Sequence, residues 1–242
     1  MTRLIVAAAA GVGLSAGAAA LAMPVAVGEL NGWDVNGVAM TETGVGTGVF
    51  EYTVTGLSAG QRQEWKPLSA GGDWGNEYYG GNAWYIADGA GSDITLTLDT
   101  NTYNDGWLPS TNRIGSTGGA VQNWGATGNW VAAAGLGSDW DNAGAPAMAD
   151  LGGGVFGVTA TIPVGNYLWK PVVLGSWDSV GSDNSTNTGS NDIPFSVTGG
   201  SDNVVTLLVN PTDGTVSISQ VPAPGVAALA GIGGLIATRR RR

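Results

Sequence analysis

"LWKPVVLGSWD", residues 168–178, and "EWKPLSAGGDW", residues 64–74, hold the only two lysines of the chain, Lys170 and Lys66. Each lysine sits in Trp-Lys-Pro, and each segment closes on Gly-x-Trp: Gly72-Asp73-Trp74 and Gly175-Ser176-Trp177. Side chains alternate along an extended strand. Trp169 therefore turns to the core with Tyr167 and Pro171, while Lys170 turns outward with Leu168. Trp65 and Lys66 divide in the same way, with Glu64 beside the lysine. Trp74 and Trp177 lie in glycine turns, where nothing in the local pattern enforces burial.

Working outward from this pair, the whole middle of the chain repeats itself. "GELNGWD" (28–34) corresponds to "GLGSDWD" (135–141), and Met40 corresponds to Met148. "GVFEYTVTGLSAG" (48–60) corresponds to "GVFGVTATIPVG" (154–165), and "ITLTLDTNT" from Ile94 to "VVTLLVNPT" from Val204. Partners keep their order and lie 103 to 110 residues apart. Each copy reads as β. "DITLTLD" alternates and is expected to be half buried, while "NVVTLLVN" is more continuously apolar and reads as a central strand. "TDGTVSIS" (212–219) carries the Asp-Gly of a tight hairpin turn. Roughly seven short strands fit each copy at the turn spacing of a β-sandwich. The Gly-, Ser- and Thr-rich stretch "PSTNRIGSTGGAVQNWGATG" (109–128) reads as a flexible linker, with Trp124 docked on a neighbour.

Composition narrows the chemistry. The 242 residues include 42 Gly and 10 Trp but no Cys and no His. There is thus no Ser-His-Asp triad, no cysteine nucleophile, no ordinary zinc site and no disulfide. Paired carboxylates or a Lys or Ser nucleophile remain, and none forms a recognisable constellation, so no enzyme activity and no cofactor are expected. "GSDNSTNTGSND" (181–192) lacks the register and terminal Glu of a calcium loop, so no metal is expected either. Between the two ends, four basic residues (Arg62, Lys66, Arg113, Lys170) face all 19 acids, a formal balance of −15. Such a surface repels nucleic acid and anionic lipid and leaves neutral ligands or cations as partners.

The ends read as addresses. Residues 1–22, "MTRLIVAAAAGVGLSAGAAALA", have the early arginine, apolar run and small-residue cleavage site (Ala20-Leu21-Ala22) of a signal peptide, expected as a signal helix. The tail 221–242 runs from Val221-Pro222-Ala223-Pro224 through an apolar helix, Gly225 to Ala237, to Arg239, Arg240, Arg241 and Arg242. That run is shorter than the ~20 residues a spanning helix uses, and the arginines stay cytoplasmic. This tail resembles the PEP-CTERM sorting signal of Gram-negative bacteria, with Ala223 in place of the usual Glu. The resemblance implies transient anchoring in the inner membrane as a transmembrane helix, recognition by an exosortase, and delivery to the cell surface or outside.

The middle of the chain resembles a second family. Gly-x-x-Asn-Gly-Trp-Asp, then Trp-Lys and Gly-x-Trp, is similar to the glycogen- and starch-binding modules of pullulanase accessory domains and of AMP-activated kinase. The resemblance implies all-β architecture with two tandem immunoglobulin-like β-sandwich units, residues 23–108 and 129–220. By motif it also implies sugar contacts at Trp33, Lys66 and Trp74 in the first unit, and at Trp140, Lys170 and Trp177 in the second. In the family pattern Pro67 and Pro171 are departures that would end or kink the strand. The aromatic cluster "YYGGNAWYIADG" (78–89) singles out the first unit as the better binder. The expected function is non-catalytic association with an α-glucan or an exopolysaccharide. The alternative is a structural surface or matrix protein, in which Trp74 and Trp177 cap the sandwich ends and each lysine pairs with an acid such as Glu64 or Asp178.

Overall fold

The computed structural model describes residues 23–89, 91, 93–182, 186–188, 191–199 and 203–221. The expected signal peptide (1–22) and the sorting residues from Pro222 to Arg242 lie outside these. The described chain is all-β. Its first half contains β1 (Val25–Gly28), β2 (Val38–Ala39), β3 (Thr41–Glu42), β4 (Val49–Val54), β5 (Arg62–Leu68), β6 (Ala83–Ile86), β7 (Ile94–Asp99) and β8 (Arg113–Thr117). The second half contains β9 (Trp124–Gly128), β10 (Ala149–Gly152), β11 (Val155–Ile162), β12 (Gly165–Val173), β13 (Asp178–Val180), β14 (Thr186–Thr188), β15 (Ile193–Val197), β16 (Asn203–Asn210) and β17 (Thr215–Val221). The four sheets are antiparallel: β2-β1-β5-β6 and β3-β4-β7-β8 in the first half, then β10-β11-β16-β17 and β14-β13-β12-β15, with β9 on β12.

Alternation explains how the two sheets of each half share a core. In the first half, Ala26 and Trp65 of one sheet meet Ile94, Leu96 and Leu98 of the other, all fully buried. In the second half, Ala126 and Trp169 meet Val205, Leu207 and Val209. Met40 and Met148, paired by the repeat, are both core residues. The strand at 203–210 is central, between β11 and β17, as its apolar run suggested. Burial alternates along it, however, with Val204 40 % exposed.

Both Trp-Lys-Pro segments lie within strands that run through the proline. Ala26 pairs with Pro67 on one side, and Ala126 with Pro171. On the opposite side of β5 the pairing with β6 stops at Trp65. On β12 the pairing with β15 stops at Trp169, before that with β13 at Val172. Each proline, which has no N–H to give, sits where a second neighbour strand is missing, so no ladder bond is lost.

The segment 109–128 is not a flexible linker. Its beginning holds β8, the edge of a first-half sheet, and its end holds β9, which opens the second half. Register places β9 as the copy of β1: Gly28 pairs with Trp65 and Gly128 with Trp169. Both glycines are dictated by close approach. A Cβ on Gly28 would lie 2.3 Å from the Glu64 carbonyl oxygen, and one on Gly128 would lie 2.2 Å from that of Leu168. The copies therefore start at β1 and β9, and the stretch between Gly128 and Trp140 carries a seven-residue insertion: eleven residues against the four between Gly28 and Trp33.

The halves are packed against each other. Trp84 of β6 leaves its own core, is 4 % exposed, and joins the second one. Its ring lies 5.9 Å from that of Trp124, and its Nε1 donates to the Ser179 carbonyl oxygen at 3.1 Å. The Arg62 guanidinium donates to both oxygens of Asp178 at 2.7 Å. Across the other contact, Ser217 Oγ donates to the Gly106 carbonyl and Leu108 N–H to that of Val216, both at 2.8 Å.

Candidate functional site

The outward row of β5 is Arg62, Glu64 and Lys66, opposite in parity to Trp65, which is fully buried. Lys66 Nζ pairs with Glu77 Oε2 at 2.5 Å and lies 6.0 Å from the centroid of the Trp74 ring, the outer limit for a cation–π contact. Trp74 opens a short 3-10 turn, Trp74–Asn76, in which the Asp73 carboxylate accepts from the Gly75 N–H at 2.8 Å. That cap fixes the turn and leaves the indole 43 % exposed.

Trp33 reaches the same side of the sheet. It packs against Val25, Val27 and Leu68, and Val27 is the cross-strand partner of Lys66. Trp33 holds a left-handed backbone, φ 62°, and its N–H donates to the Gly28 carbonyl oxygen at 2.8 Å. Trp140 repeats both features, with φ 55° and a bond to Gly128 at 3.3 Å. Non-glycine residues rarely adopt this conformation, so the shared geometry marks the two loops as copies despite the insertion. Trp33, Lys66 and Trp74 are thus brought together on one face.

The second half differs. Trp169 is buried as parity requires, and Trp177 is 45 % exposed. Lys170 is not open to solvent, contrary to its outward parity. It is 4 % exposed and pairs with Asp192 at 2.9 Å. The reason is that the outer face of the sheet is itself covered at this point. Thr127, the β9 partner of Lys170, and Val172 are fully buried, and Ala145, in the segment after Trp140, sits 3.1 Å from where a Cβ on Gly125 would be. Lys170 therefore does not form a surface site with Trp177.

Both lysines are ion-paired, as the scaffold alternative required, but neither uses the acid expected for it. Glu64 and Asp178 are held instead by Arg62, whose pKa is raised chiefly by its hydrogen bonds to Asp178, against the opposing effect of burial. The aromatic cluster 78–89 is packing rather than an open platform. Tyr85 is 2 % exposed in the first core, Trp84 belongs to the junction, and Tyr78 and Tyr79 pack against the first core. The Arg62–Glu64–Asp178 network was not anticipated. Its sequence signal, an alternating charged row on β5, gives direction but not a partner more than a hundred residues away. Among the described residues no group of three or more acids is placed to hold a metal ion.

No protein-family model and no curated protein matches the chain. Among solved structures it is similar to Pullulanase from Bacillus acidopullulyticus, with 16 % identity and a TM-score of 0.35 over 68 % of this chain. The match spans 17 % of that enzyme's length. A likeness at that TM-score identifies no ligand.

Proposed function

We propose that the protein is an exported, surface-sorted, non-catalytic glycan-binding protein built from two immunoglobulin-like sandwich units. The observation that carries this is the exposed Trp74 ring above the Lys66–Glu77 pair, with Trp33 on the same face. A flat indole stacks on the C–H face of a sugar, and the adjoining ammonium and carboxylate serve its hydroxyls as donor and acceptor. Trp177 offers a second exposed ring without an accessible lysine. The first half is therefore the main site and the second an auxiliary contact, and two weak contacts on one polymer gain avidity. Export rests on the signal-like start. Exosortase sorting rests on Pro222, Ala223, Pro224 and the four terminal arginines, with the inner membrane a transient partner.

Affinity electrophoresis of the full chain tests glycan binding, in gels holding glycogen, starch, cellulose or the producer's exopolysaccharide. At least one polymer is expected to retard the protein. Losing two stacking rings of about 0.5–1.5 kcal/mol each weakens retention roughly tenfold or more in Trp74→Ala combined with Trp177→Ala. Absence of retardation in every gel would leave the scaffold role standing. Undiminished retardation of the double variant would place the site elsewhere.

A further inference from the structure

Where the halves meet there is a cleft of about 260 Å³ whose aromatic lining comes from both. Trp84 of the first half and Trp124 and Phe156 of the second form its apolar floor, with centroids 5.9 and 6.3 Å apart along the series. The connection between the halves, residues 118–122, forms one wall, and Asp150 and Thr212 stand on the other side. Glycines let the chain turn and pack closely around the cleft: Gly118 and Gly154 have left-handed backbones, φ 82° and 81°, and Gly119 allows no Cβ without meeting the Ile86 carbonyl oxygen at 2.8 Å. The wall is tied at its middle, Ala120 N–H to the Ile86 carbonyl at 2.9 Å, and just beyond its end, Leu174 N–H to the Asn123 carbonyl at 2.8 Å. A second space of about 250 Å³ lies against Val121, Gln122 and Trp124 as well.

We propose that this cleft is a binding site for a single uncharged sugar ring, such as the end of a glycan chain. Its volume falls just below the ~300 Å³ at which sites for drug-sized ligands begin, which limits the occupant to about one ring. Asp150 is the one ionised side chain in the lining, so the cleft repels phosphates and carboxylates and favours a ligand that donates hydroxyl hydrogens. The aromatic floor meets the C–H face of a ring, while Ser116, Gln122 and Thr212 supply polar groups at its edge. The choice of a sugar over another uncharged ring rests on the glycan reading above. The site itself is separate from Trp74 and Trp177.

Saturation-transfer difference NMR of the full chain with methyl α-glucoside and methyl β-galactoside at millimolar concentration tests this. Transfer to at least one glycoside is expected in the parent, and the part that persists in Trp74→Ala combined with Trp177→Ala reports the cleft alone. Added to that double variant, Ala120→Trp, which fills the cleft, is expected to abolish the remaining transfer. Asp150→Ala, which removes a charged acceptor from a rim position, is expected to weaken it roughly tenfold and serves if Ala120→Trp does not fold. No transfer in the tryptophan double variant, or transfer there that is unaffected by Asp150→Ala, would each overturn the cleft site. Transfer that follows the cleft variants while polysaccharide gels show no retardation would sink the Trp74 surface and leave the cleft.

Discussion

Trp169→Ala is expected to destabilise the second half by about 3–5 kcal/mol, whereas Trp177→Ala, eight residues further on, should change stability by no more than about 0.5 kcal/mol. Both residues belong to one repeated motif, and only the face they occupy separates them. Trp169 has no exposed surface and packs in the core with Ile193, Phe195 and Leu207. Truncation removes most of its contacts and opens a cavity between two sheets whose backbones are fixed by their ladders. Its Nε1 has no hydrogen-bond partner among the described residues, so the loss is one of packing and not of a buried polar contact. Urea unfolding of the two variants checks this. Equal midpoints for the two would mean that strand parity does not govern the motif.

Gly115→Ala is expected to cost about 1–3 kcal/mol through overpacking at the junction, although it adds a single methyl group. A Cβ on Gly115 would lie 2.0 Å from the Thr212 carbonyl oxygen and 2.5 Å from its carbon. Both atoms are backbone, so no rotamer change relieves the overlap and the turn before β17 must retreat. That turn is stiff. Gly214 is left-handed at φ 69°, and the Asp213 carboxylate accepts from both the N–H and the hydroxyl of Thr215. The halves must therefore separate locally, which loosens the contact that buries Trp84. Thermal unfolding together with acrylamide quenching reads both consequences. A variant with the parent's midpoint and quenching would show that the halves do not need this contact.

The junction also shows where the sequence could be read and where it could not. Parity along Trp-Lys-Pro is a local property, so the burial of Trp65 and Trp169 followed directly from it. The hairpin at Asp213-Gly214 was legible for the same reason. Lys170 was not, because its cover comes from the segment around Ala145 and from Asp192, and neither is encoded near the lysine. The stretch 109–128 misled through its glycines. In a linker, glycine signals freedom. Gly115, Gly125 and Gly128 signal the opposite, since each has a neighbour within 2.4 Å of where a Cβ would stand. Composition cannot distinguish these two uses of glycine. The cross-strand register that separates them arises only when distant segments pair.

The central claim is that each copy buries one tryptophan for the fold and offers another to a glycan. Oxidation by N-bromosuccinimide, read by peptide mass spectrometry with and without the retarding polysaccharide, tests it most directly. Trp74 and Trp177 are expected to react first and to be protected by the polymer, while Trp65 and Trp169 stay unmodified until the protein unfolds. Oxidation of Trp74 and Trp177 at the same rate with and without bound polymer would contradict the claim.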